Sequence, residues 1–353
     1  MPEQTLRRTP LYDRHVAAGA RIVPFAGWEM PVQYEGIIAE HRAVRSHAGV
    51  FDVSHMGQLE IRGAGTLDFL QRALSNDLEK IGEGRAQYTL LLDERGTPID
   101  DLIAYRFGDD HVLLVVNASR VDDDREWIVE ALPSGVVLDD RSDELAMLAL
   151  QGPAALELVE LPDLEPFGFT RATVAGVPAI VARTGYTGEP GVELMIEPER
   201  AGELWDALVD AGATPAGLGA RDTLRLEVCY PLYGNDLDRE HTALEAGLRW
   251  VCALDAKDFV GAAALRAQGE AGGYDRLVAF RALDRGVPRQ GMPIGPGGTV
   301  TSGTMSPSLG IGIGMGYVPA ASAMPGTRLE VDVRGRTLPV EVAKKPLYVK
   351  EKT

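Results

Sequence analysis

Cysteine is scarce in this chain of 353 residues, which contains only Cys229 and Cys252. Two thiols this far apart in the sequence cannot build a disulfide framework or a zinc cluster. The six histidines include no His-x-His or His-x₃-His pair that would hold a metal ion. We therefore interpret both cysteines as small buried hydrophobic residues and expect no metal site.

Long apolar runs are also missing. No segment approaches the roughly 18 apolar residues that span a membrane, and the N-terminus lacks the apolar stretch of a secretory signal. We therefore expect a cytoplasmic protein that does not associate with membranes. Apolar residues make up 45% of the chain and charged residues 25%, which is typical of folded globular proteins. The length predicts two or three domains, at about 150 residues each.

Basic residues are too few to balance the acids. Lys and Arg total 35 against 52 Asp and Glu, which gives a formal net charge of −17. Such a surface repels phosphate backbones, so the composition argues against a nucleic-acid-binding protein.

Several common catalytic and nucleotide-binding motifs are absent as well. There is no Gly-x-Ser-x-Gly elbow, Walker loop or His-Glu-x-x-His sequence. Residues 310–316 place glycine at alternate positions, without the Rossmann spacing and without a helix pattern after them. We interpret this stretch as a strand that packs closely against another backbone, and we expect no nucleotide cofactor.

Hydrophobic periodicity predicts an α+β fold with antiparallel sheets, followed by an all-β C-terminal part that reads as a small barrel or sandwich. Predicted helices cover residues 37–47, 66–73, 154–159 and 199–210, with one capped by Ser119 and one starting near Leu218. Predicted strands cover residues 57–62, 87–93, 98–107, 111–116, 177–183 and 191–197. Residues 25–31 resemble a packed loop, and residues 262–273 resemble a linker.

Acidic residues occur in two apolar strand patterns. Asp100 and Asp101 are adjacent in the strand at 98–107, and because side chains alternate along a strand, only one of them can enter a given cavity. Asp101 shares its face with Ile103 and Tyr105. An acid on an apolar face is costly unless it is paired or used. The alternative interpretation is a solvated strand end or a turn cap.

The second acid, Glu193, follows a loop at 184–191 that is rich in glycine and contains Tyr186. Such a loop lets a backbone or ligand approach closely, although a plain structural hairpin would look the same. Further along, Gly219 precedes a helix whose first turn holds Arg221. A cation is unfavourable there, so Arg221 is either held for a partner or exposed beside Asp222.

Taken together, these segments resemble the aminomethyltransferase family, the T-proteins of the glycine cleavage system. The matches are ordered along about 340 residues, which makes them far more specific than any single motif and outweighs the structural alternatives. They lie at residues 8–12, 25–34, 49–57, 99–102, 148–153, 185–193, 218–222, 232–236 and 301–309.

The resemblance implies three domains around a central folate channel. It predicts a split folate-binding domain at 1–50 plus 140–262, an inserted α+β domain at 51–139, and a C-terminal β-barrel at 274–353. It also implies an enzyme that takes the aminomethyl group from the lipoyl arm of the H-protein. Tetrahydrofolate, as the substrate, accepts the carbon to give 5,10-methylene-tetrahydrofolate, and ammonia is released.

The same resemblance assigns roles to residues. Asp101 matches the catalytic aspartate, and Glu193 matches the carboxylate that accepts the two N–H donors of the pterin edge. Arg221 matches the family's folate-contacting arginine. The remaining predicted folate-cavity residues are Tyr186, Asn117, Tyr88 and Met56.

Two other classes share this expected fold. One is a folate-dependent demethylase of the dimethylglycine or sarcosine type, and the other is a folate-binding regulator without catalysis. No flavin fingerprint supports the first, and Asp101 at the catalytic position argues against the second. For the partner surface, Arg281, Arg285 and Arg289 are candidates to meet a lipoyl carrier, and the alternative is that they are scattered, solvated arginines. We expect the enzyme itself to be a monomer.

Overall fold

A computed structural model describes residues 5–350. Twenty strands are present in this part of the chain. In chain order they are β1 Arg7–Arg8, β2 Arg21–Phe25, β3 Trp28–Gln33, β4 Gly49–Asp52, β5 Gly57–Arg62, β6 Arg85–Leu92, β7 Pro98–Gly108, β8 His111–Val116, β9 Val137–Asp140, β10 Ala146–Gln151, β11 Phe169–Val174, β12 Val177–Ala182, β13 Gly191–Ile196, β14 Thr214–Pro215, β15 Arg276–Ala282, β16 Pro293–Gly295, β17 Gly298–Met305, β18 Gly312–Val318, β19 Arg328–Val333 and β20 Arg336–Ala343.

Seven α-helices lie between these strands in residues 5–350. They are α1 Tyr12–Ala17, α2 Ile37–Ser46, α3 Thr66–Ala73, α4 Val121–Ala131, α5 Ala201–Asp210, α6 Leu218–Glu227 and α7 Ala262–Ala271. The mixed helix and sheet content confirms the α+β prediction.

Two mixed or antiparallel sheets and one barrel form the framework, beside a small three-stranded sheet ordered β1-β3-β2. The first large sheet runs β11-β12-β13-β10-β4-β14, and the second runs β6-β7-β8-β5-β9. Apolar side chains from β10, β12, β13 and α5 form the main core beside the first sheet. The polar strand ends and the loop after β12 lie outside this core, where they can present functional side chains.

The C-terminal strands close into a barrel ordered β15-β18-β17-β16-β19-β20, which confirms the predicted β-barrel. Its interior is filled by aliphatic side chains and Phe280. Three of the four alternate glycines, Gly312, Gly314 and Gly316, lie in β18, between β15 and β17, whereas Gly310 precedes the strand. A Cβ on Gly312 would lie 2.3 Å from the Gly286 carbonyl oxygen, and one on Gly316 would lie 2.5 Å from that of Thr299. The predicted close backbone packing is therefore confirmed.

Other sequence-based predictions are wrong. Residues 25–31 are not a loop but the hairpin of β2 and β3, because Ala26 and Gly27 both adopt positive φ and make the turn between them. Residues 262–273 are not a linker but contain α7, since alanine favours helix strongly and Leu265 is buried. Residues 154–159 form turns instead of a helix, as expected for a segment too short to propagate one.

The cap predicted for the helix after β8 is also wrong. The N-cap of α4 is Arg120, without a side-chain cap bond, and Ser119 precedes it. Arg120 forms an ion pair with Asp123 in the first turn instead. That cation offsets part of the acidic charge that the first turn of α4 carries.

The chain divides into two compact units. In the described range, the first comprises residues 5–72, 76–89 and 101–221, and the second comprises residues 73–75, 90–100 and 222–350. The three-domain division that the resemblance implies, with its bounds at 50, 140, 262 and 274, stays a prediction.

Candidate active site

All seven predicted site residues belong to the first compact unit. They come from the turn before β5, from β6, β7 and the end of β8, from the loop and strand after β12, and from α6. Residues far apart in the sequence are thus brought together within one unit. The contacts between them group into two clusters.

The first cluster surrounds Asp101 on β7. The Tyr88 hydroxyl donates a hydrogen bond to Asp101 Oδ2 at 3.0 Å. The Asn117 side-chain amide donates both to Asp101 Oδ1 and to its backbone oxygen, each at 2.9 Å. The two neighbours fix the rotamer of a half-buried carboxylate. Three of the predicted residues therefore form one hydrogen-bonded group.

Asp100 differs from its neighbour in exposure. Its side chain is fully buried, whereas Asp101 is half-buried. Both residues lie within β7, so strand alternation directs their side chains to opposite faces. This geometry agrees with the expectation that only one of the two acids serves the site.

The second cluster surrounds Glu193 on β13. The Thr184 hydroxyl donates to Glu193 Oε2 at 2.5 Å, and the Tyr105 hydroxyl lies 3.3 Å from Thr184 Oγ1. Burial raises the pKa of Glu193, while the Thr184 hydrogen bond and the charge of Arg221 oppose that rise. Because Tyr105 shares the Asp101 face of β7, this strand links the two clusters.

Arg221 lies in the first turn of α6 with its guanidinium carbon 4.7 Å from the centre of the Tyr186 ring. Burial lowers the pKa of Arg221. The electrostatic effects of Glu193 and Tyr186 raise this pKa and partly oppose the shift. Its Nη1 is buried and has no hydrogen-bond partner among residues 5–350. A buried guanidinium donor without an acceptor is costly, so Arg221 remains a candidate for ligand contact.

Sequence reasoning missed the residues that shape the loop at 184–190. Arg45 Nη1 donates to the Thr187 carbonyl at 2.8 Å and to Glu189 Oε1 at 3.1 Å. Gln151 Nε2 donates to the Thr184 carbonyl at 3.2 Å, and its Oε1 accepts from the Thr187 hydroxyl at 3.0 Å. These two buried side chains hold the loop in place through hydrogen bonds. The only signal in the sequence is that Gln151 is polar in the otherwise apolar strand β10.

The start of α6 is anchored in a similar way by Glu40, which is fully buried. Its Oε2 accepts the backbone N–H of Gly217 at 2.9 Å, and its Oε1 accepts the N–H groups of Tyr34 and Gly36. A Cβ on Gly217 would lie 2.5 Å from the carbonyl carbon of Val32. Glycine therefore allows α6 to begin close to β3, which sets the position of Arg221.

Met56 lies in the turn between β4 and β5, where its backbone N–H donates to the Val53 carbonyl at 3.0 Å. It follows His55, which is 4% exposed. The charge of Arg221 helps to lower the pKa of His55, the residue that precedes Met56.

The arrangement combines an ionisable carboxylate with fixed neighbours and a buried acid–arginine pair beside a tyrosine ring. A buried acid accepts parallel N–H donors, and an arginine donates to carbonyl or ring-nitrogen acceptors. Such a site suits a flat, polar heterocycle.

In residues 5–350, no group of three or more His, Cys, Asp and Glu residues is placed to hold a metal ion. Within the same range, no helix has both the length and the apolar character to cross a membrane.

Comparison with known proteins agrees with this geometry. Residues 11–256 match the GCVT N-terminal domain, and residues 276–348 match the glycine cleavage T-protein C-terminal barrel domain. An aminomethyltransferase of Symbiobacterium thermophilum is 47% identical, with 98% of each chain covered. Another, from Rubrobacter xylanophilus, is 48% identical over 98% of this chain and 95% of that protein.

A solved structure shows the same fold. The glycine cleavage system aminomethyltransferase T of Bartonella henselae superposes with a TM-score of 0.92 at 32% identity, covering 97% of this chain and 98% of that one. Matches of this extent confirm the family that the sequence motifs indicated. The chain belongs to the glycine cleavage T-protein family of aminomethyltransferases.

Proposed function

We propose that this enzyme moves the aminomethyl carbon from a lipoyl arm to tetrahydrofolate at the two clusters described above. The sulfur–carbon bond of the aminomethylated arm breaks, and the carbon becomes bonded to N5 and N10 of the folate. The arm leaves as the free thiol, and the amino group leaves as ammonia. The observation that supports this most directly is the Asp101 carboxylate held by Tyr88 and Asn117.

Glu193 and Arg221 are the proposed folate-binding pair. The aminopyrimidinone edge of the pterin offers two parallel N–H donors that match a carboxylate. Arg221 can donate its buried Nη1 to a carbonyl or ring-nitrogen acceptor of the same ring. Tyr186, which packs against the guanidinium, supplies an aromatic surface for the heterocycle.

Asp101 is the proposed catalytic residue. Loss of the lipoyl thiolate leaves an electrophilic, iminium-like carbon, and N5 is the attacking nucleophile. An ionised carboxylate beside that carbon stabilises the developing positive charge and can accept a proton as the ring closes on N10. The hydrogen bonds from Tyr88 and Asn117 keep the carboxylate in place.

The assignment is tested by measuring methylene-tetrahydrofolate and ammonia formation from an aminomethylated carrier protein. The isosteric change Asp101→Asn removes the charge and should lower kcat about 100-fold or more, with tetrahydrofolate affinity nearly unchanged. Asp100→Asn is the matched neighbour and should retain far more turnover. Equal rates in all three proteins would contradict the catalytic role of Asp101, and an inactive wild type would contradict the proposed activity.

The carrier protein is the proposed partner, in the form of a lipoylated H-protein. Arg281, Arg285 and Arg289 are all exposed near the start of the barrel. In a chain of net charge −17 they offer a local positive surface for an acidic partner. Replacing all three by Gln should raise KM for the carrier and flatten its salt dependence. Kinetics with the carrier that do not depend on salt in the wild type would refute this surface.

The remaining assignments follow from the same function. We propose a cytoplasmic monomer that uses tetrahydrofolate as a substrate, without a metal or a nucleotide cofactor. The three-domain division, with the folate-binding domain split around an insertion, belongs to this proposal too. Sedimentation at working concentration tests the monomer, and activity after exhaustive chelation tests independence from metal.

A further inference from the structure

One buried histidine at the second cluster is not used by the proposed mechanism. His55 follows β4 in the turn at residues 53–56, and its side chain is 4% exposed. Its Nδ1 is buried and has no hydrogen-bond partner within residues 5–350. One side of the ring is covered by Phe25, edge-on, with the ring centres 5.6 Å apart. The sequence around it offers no reason to bury an imidazole nitrogen without a partner.

Arg221 influences the protonation of His55. Burial, followed by the positive charge of Arg221, lowers the pKa of His55 to about 4, while Asp52 opposes the shift. The imidazole is therefore neutral at physiological pH. Arg221 Nη1 is itself buried without a partner in the described residues. Two buried polar atoms without partners, on residues whose charges act on each other, indicate that a ligand satisfies both.

The two atoms have complementary hydrogen-bonding character. Arg221 Nη1 can only donate. A neutral imidazole accepts at one nitrogen, and an unsatisfied buried N–H is rarer in proteins than an unsatisfied acceptor. We therefore assign the lone pair to Nδ1 and the proton to Nε2. The two residues then offer one donor and one acceptor to a ligand.

A reduced pterin carries the matching pattern. Beyond the edge that faces a carboxylate, its ring has two further edges, O4 with N5–H and N1 with N8–H, and each sets an acceptor beside an N–H donor. In a fully oxidised pterin, N5 and N8 carry no hydrogen and can only accept. An acceptor at Nδ1 would then face a lone pair, which is unfavourable. The acceptor therefore distinguishes the two oxidation states of the ring.

From these two buried, unpartnered atoms we infer that His55 is a specificity-determining residue, whose Nδ1 accepts a ring N–H that only the reduced pterin has. Arg221 donates to the acceptor on the same edge of the ring. The inference rests on the proposed function and adds to it the means by which the reduced substrate is selected.

The test uses the whole enzyme and ligands that lack one N–H each. Anaerobic calorimetry measures the dissociation constants of tetrahydrofolate, 5-deazatetrahydrofolate and 8-deazatetrahydrofolate, in which a methylene replaces N5–H or N8–H. In the wild type, one deaza analogue should bind about 10-fold more weakly or worse, because it leaves the buried Nδ1 without its donor. If both deaza analogues bind the wild-type enzyme as tightly as tetrahydrofolate does, the inference is overturned.

Two conservative variants locate the effect on one nitrogen. The amide of His55→Asn places an acceptor near the position of Nδ1 and should keep the preference for tetrahydrofolate over that analogue. His55→Gln places its amide near Nε2 and should bind tetrahydrofolate and the analogue alike, as in a double-mutant cycle. His111→Gln, whose imidazole bonds to Glu60 at 2.7 Å instead, is the control and should keep the wild-type preference.

The outcomes separate this inference from the proposed function. If the wild type forms methylene-tetrahydrofolate but His55→Gln keeps the full preference with an unchanged Tm, His55 is not the selecting residue and the inference fails alone. If the wild type binds no tetrahydrofolate, the proposed function fails, and the inference fails with it.

Discussion

At the scale of single residues, the candidate site places charged groups where their ionisation is costly. Glu193 is 7% exposed, and burial raises its pKa despite the opposing contributions of Thr184 and Arg221. Its ionised form is nevertheless the one that accepts two N–H donors. The free protein therefore gives up stability at this residue for a carboxylate that is ready to bind the substrate.

Glu193→Gln should separate binding from stability. A raised folded-state pKa means that the contribution of Glu193 to stability is complete below its unfolded pKa of about 4.3 and is lost as pH rises through the folded value. The variant should therefore have a higher Tm than the wild type at pH 7, and this gain should disappear on acidification. Thermal scans between pH 4 and pH 8 check the sign.

The same variant should bind tetrahydrofolate about 10-fold more weakly, since its amide N–H would face a pterin N–H. In the wild type, affinity should weaken as pH falls through the raised pKa of Glu193. In the variant, that pH dependence should vanish. A variant that lost Tm at pH 7 and kept its affinity would contradict both assignments.

At the scale of elements, glycine and buried polar side chains determine where the loop at 184–190 lies. A Cβ on Gly185 would lie 2.0 Å from Gln151 Oε1, and Gln151 is the side chain that holds Thr184 and Thr187. The loop can stay in place only while Gly185 has no side chain. Tyr186 is the next residue, so its position depends on this contact.

Gly185→Ala should therefore displace the loop. We expect overpacking to lower stability by about 1–3 kcal/mol and to weaken tetrahydrofolate binding by displacing Tyr186. Gly82→Ala is a matched control, because its added Cβ meets no atom within 4 Å. Calorimetric affinity and urea unfolding of both variants test the expectation, and equal behaviour of the two would refute it.

Helix α6 and the barrel are joined by a second buried polar group. Arg225 Nη1 donates to Asp236 Oδ2 at 2.6 Å, and both side chains are at most 1% exposed. The Thr301 and Ser302 hydroxyls on β17 also donate to Asp236. Residues from a helix, a loop and a barrel strand therefore share one carboxylate.

Asp236→Asn should leave a buried arginine without its buried counter-charge and destabilise the protein by about 3–5 kcal/mol. Asp222 provides the control, since it bonds to the same guanidinium at 2.8 Å but its side chain is 47% exposed. Asp222→Asn should cost about 1 kcal/mol or less. Denaturant unfolding compares the two, and similar losses would show that burial does not determine the strength of these pairs.

At the scale of the whole molecule, several carboxylates stay ionised because protein partners outweigh burial. Burial opposes ionisation of Asp52, Glu60 and Asp238, yet hydrogen bonds from His15, His111 and His241 respectively help to lower their pKa values. Each such group stabilises the fold above its unfolded pKa of about 4. The formal charge of −17 acts against this by self-repulsion at neutral pH.

Stability should therefore change little as pH falls from 7 towards the isoelectric point near 4.8. Below about pH 4 it should drop steeply, as the pH falls through the lowered pKa values and these carboxylates take up protons. Asp52→Asn should lower Tm at pH 7 and flatten the acid limb, because the fully buried His15 loses its carboxylate partner at 2.8 Å. A Tm that rose continuously to pH 3 would contradict this account.

The sequence by itself determined those features that depend on local pattern or on ordered motifs. The helix at 66–73 and the strands at 57–62 and 111–116 match the structure residue for residue, because their apolar spacing repeats without interruption. The family was also evident from the sequence, since its motifs occur in order over most of the chain. Asp101, Glu193 and Arg221 were candidates for the same reason.

Only the tertiary structure decided which distant side chains support the site. Arg45, Gln151 and Glu40 act through contacts that cross many residues of sequence, and no local pattern marks such contacts. The hairpin at residues 25–31 could not be predicted for a related reason. Glycine and proline indicate that regular secondary structure is interrupted, but they do not indicate whether strands pair on either side of the interruption. Burial and pairing are properties of the folded molecule, and only they show that His55 Nδ1 and Arg221 Nη1 are buried without partners among the described residues.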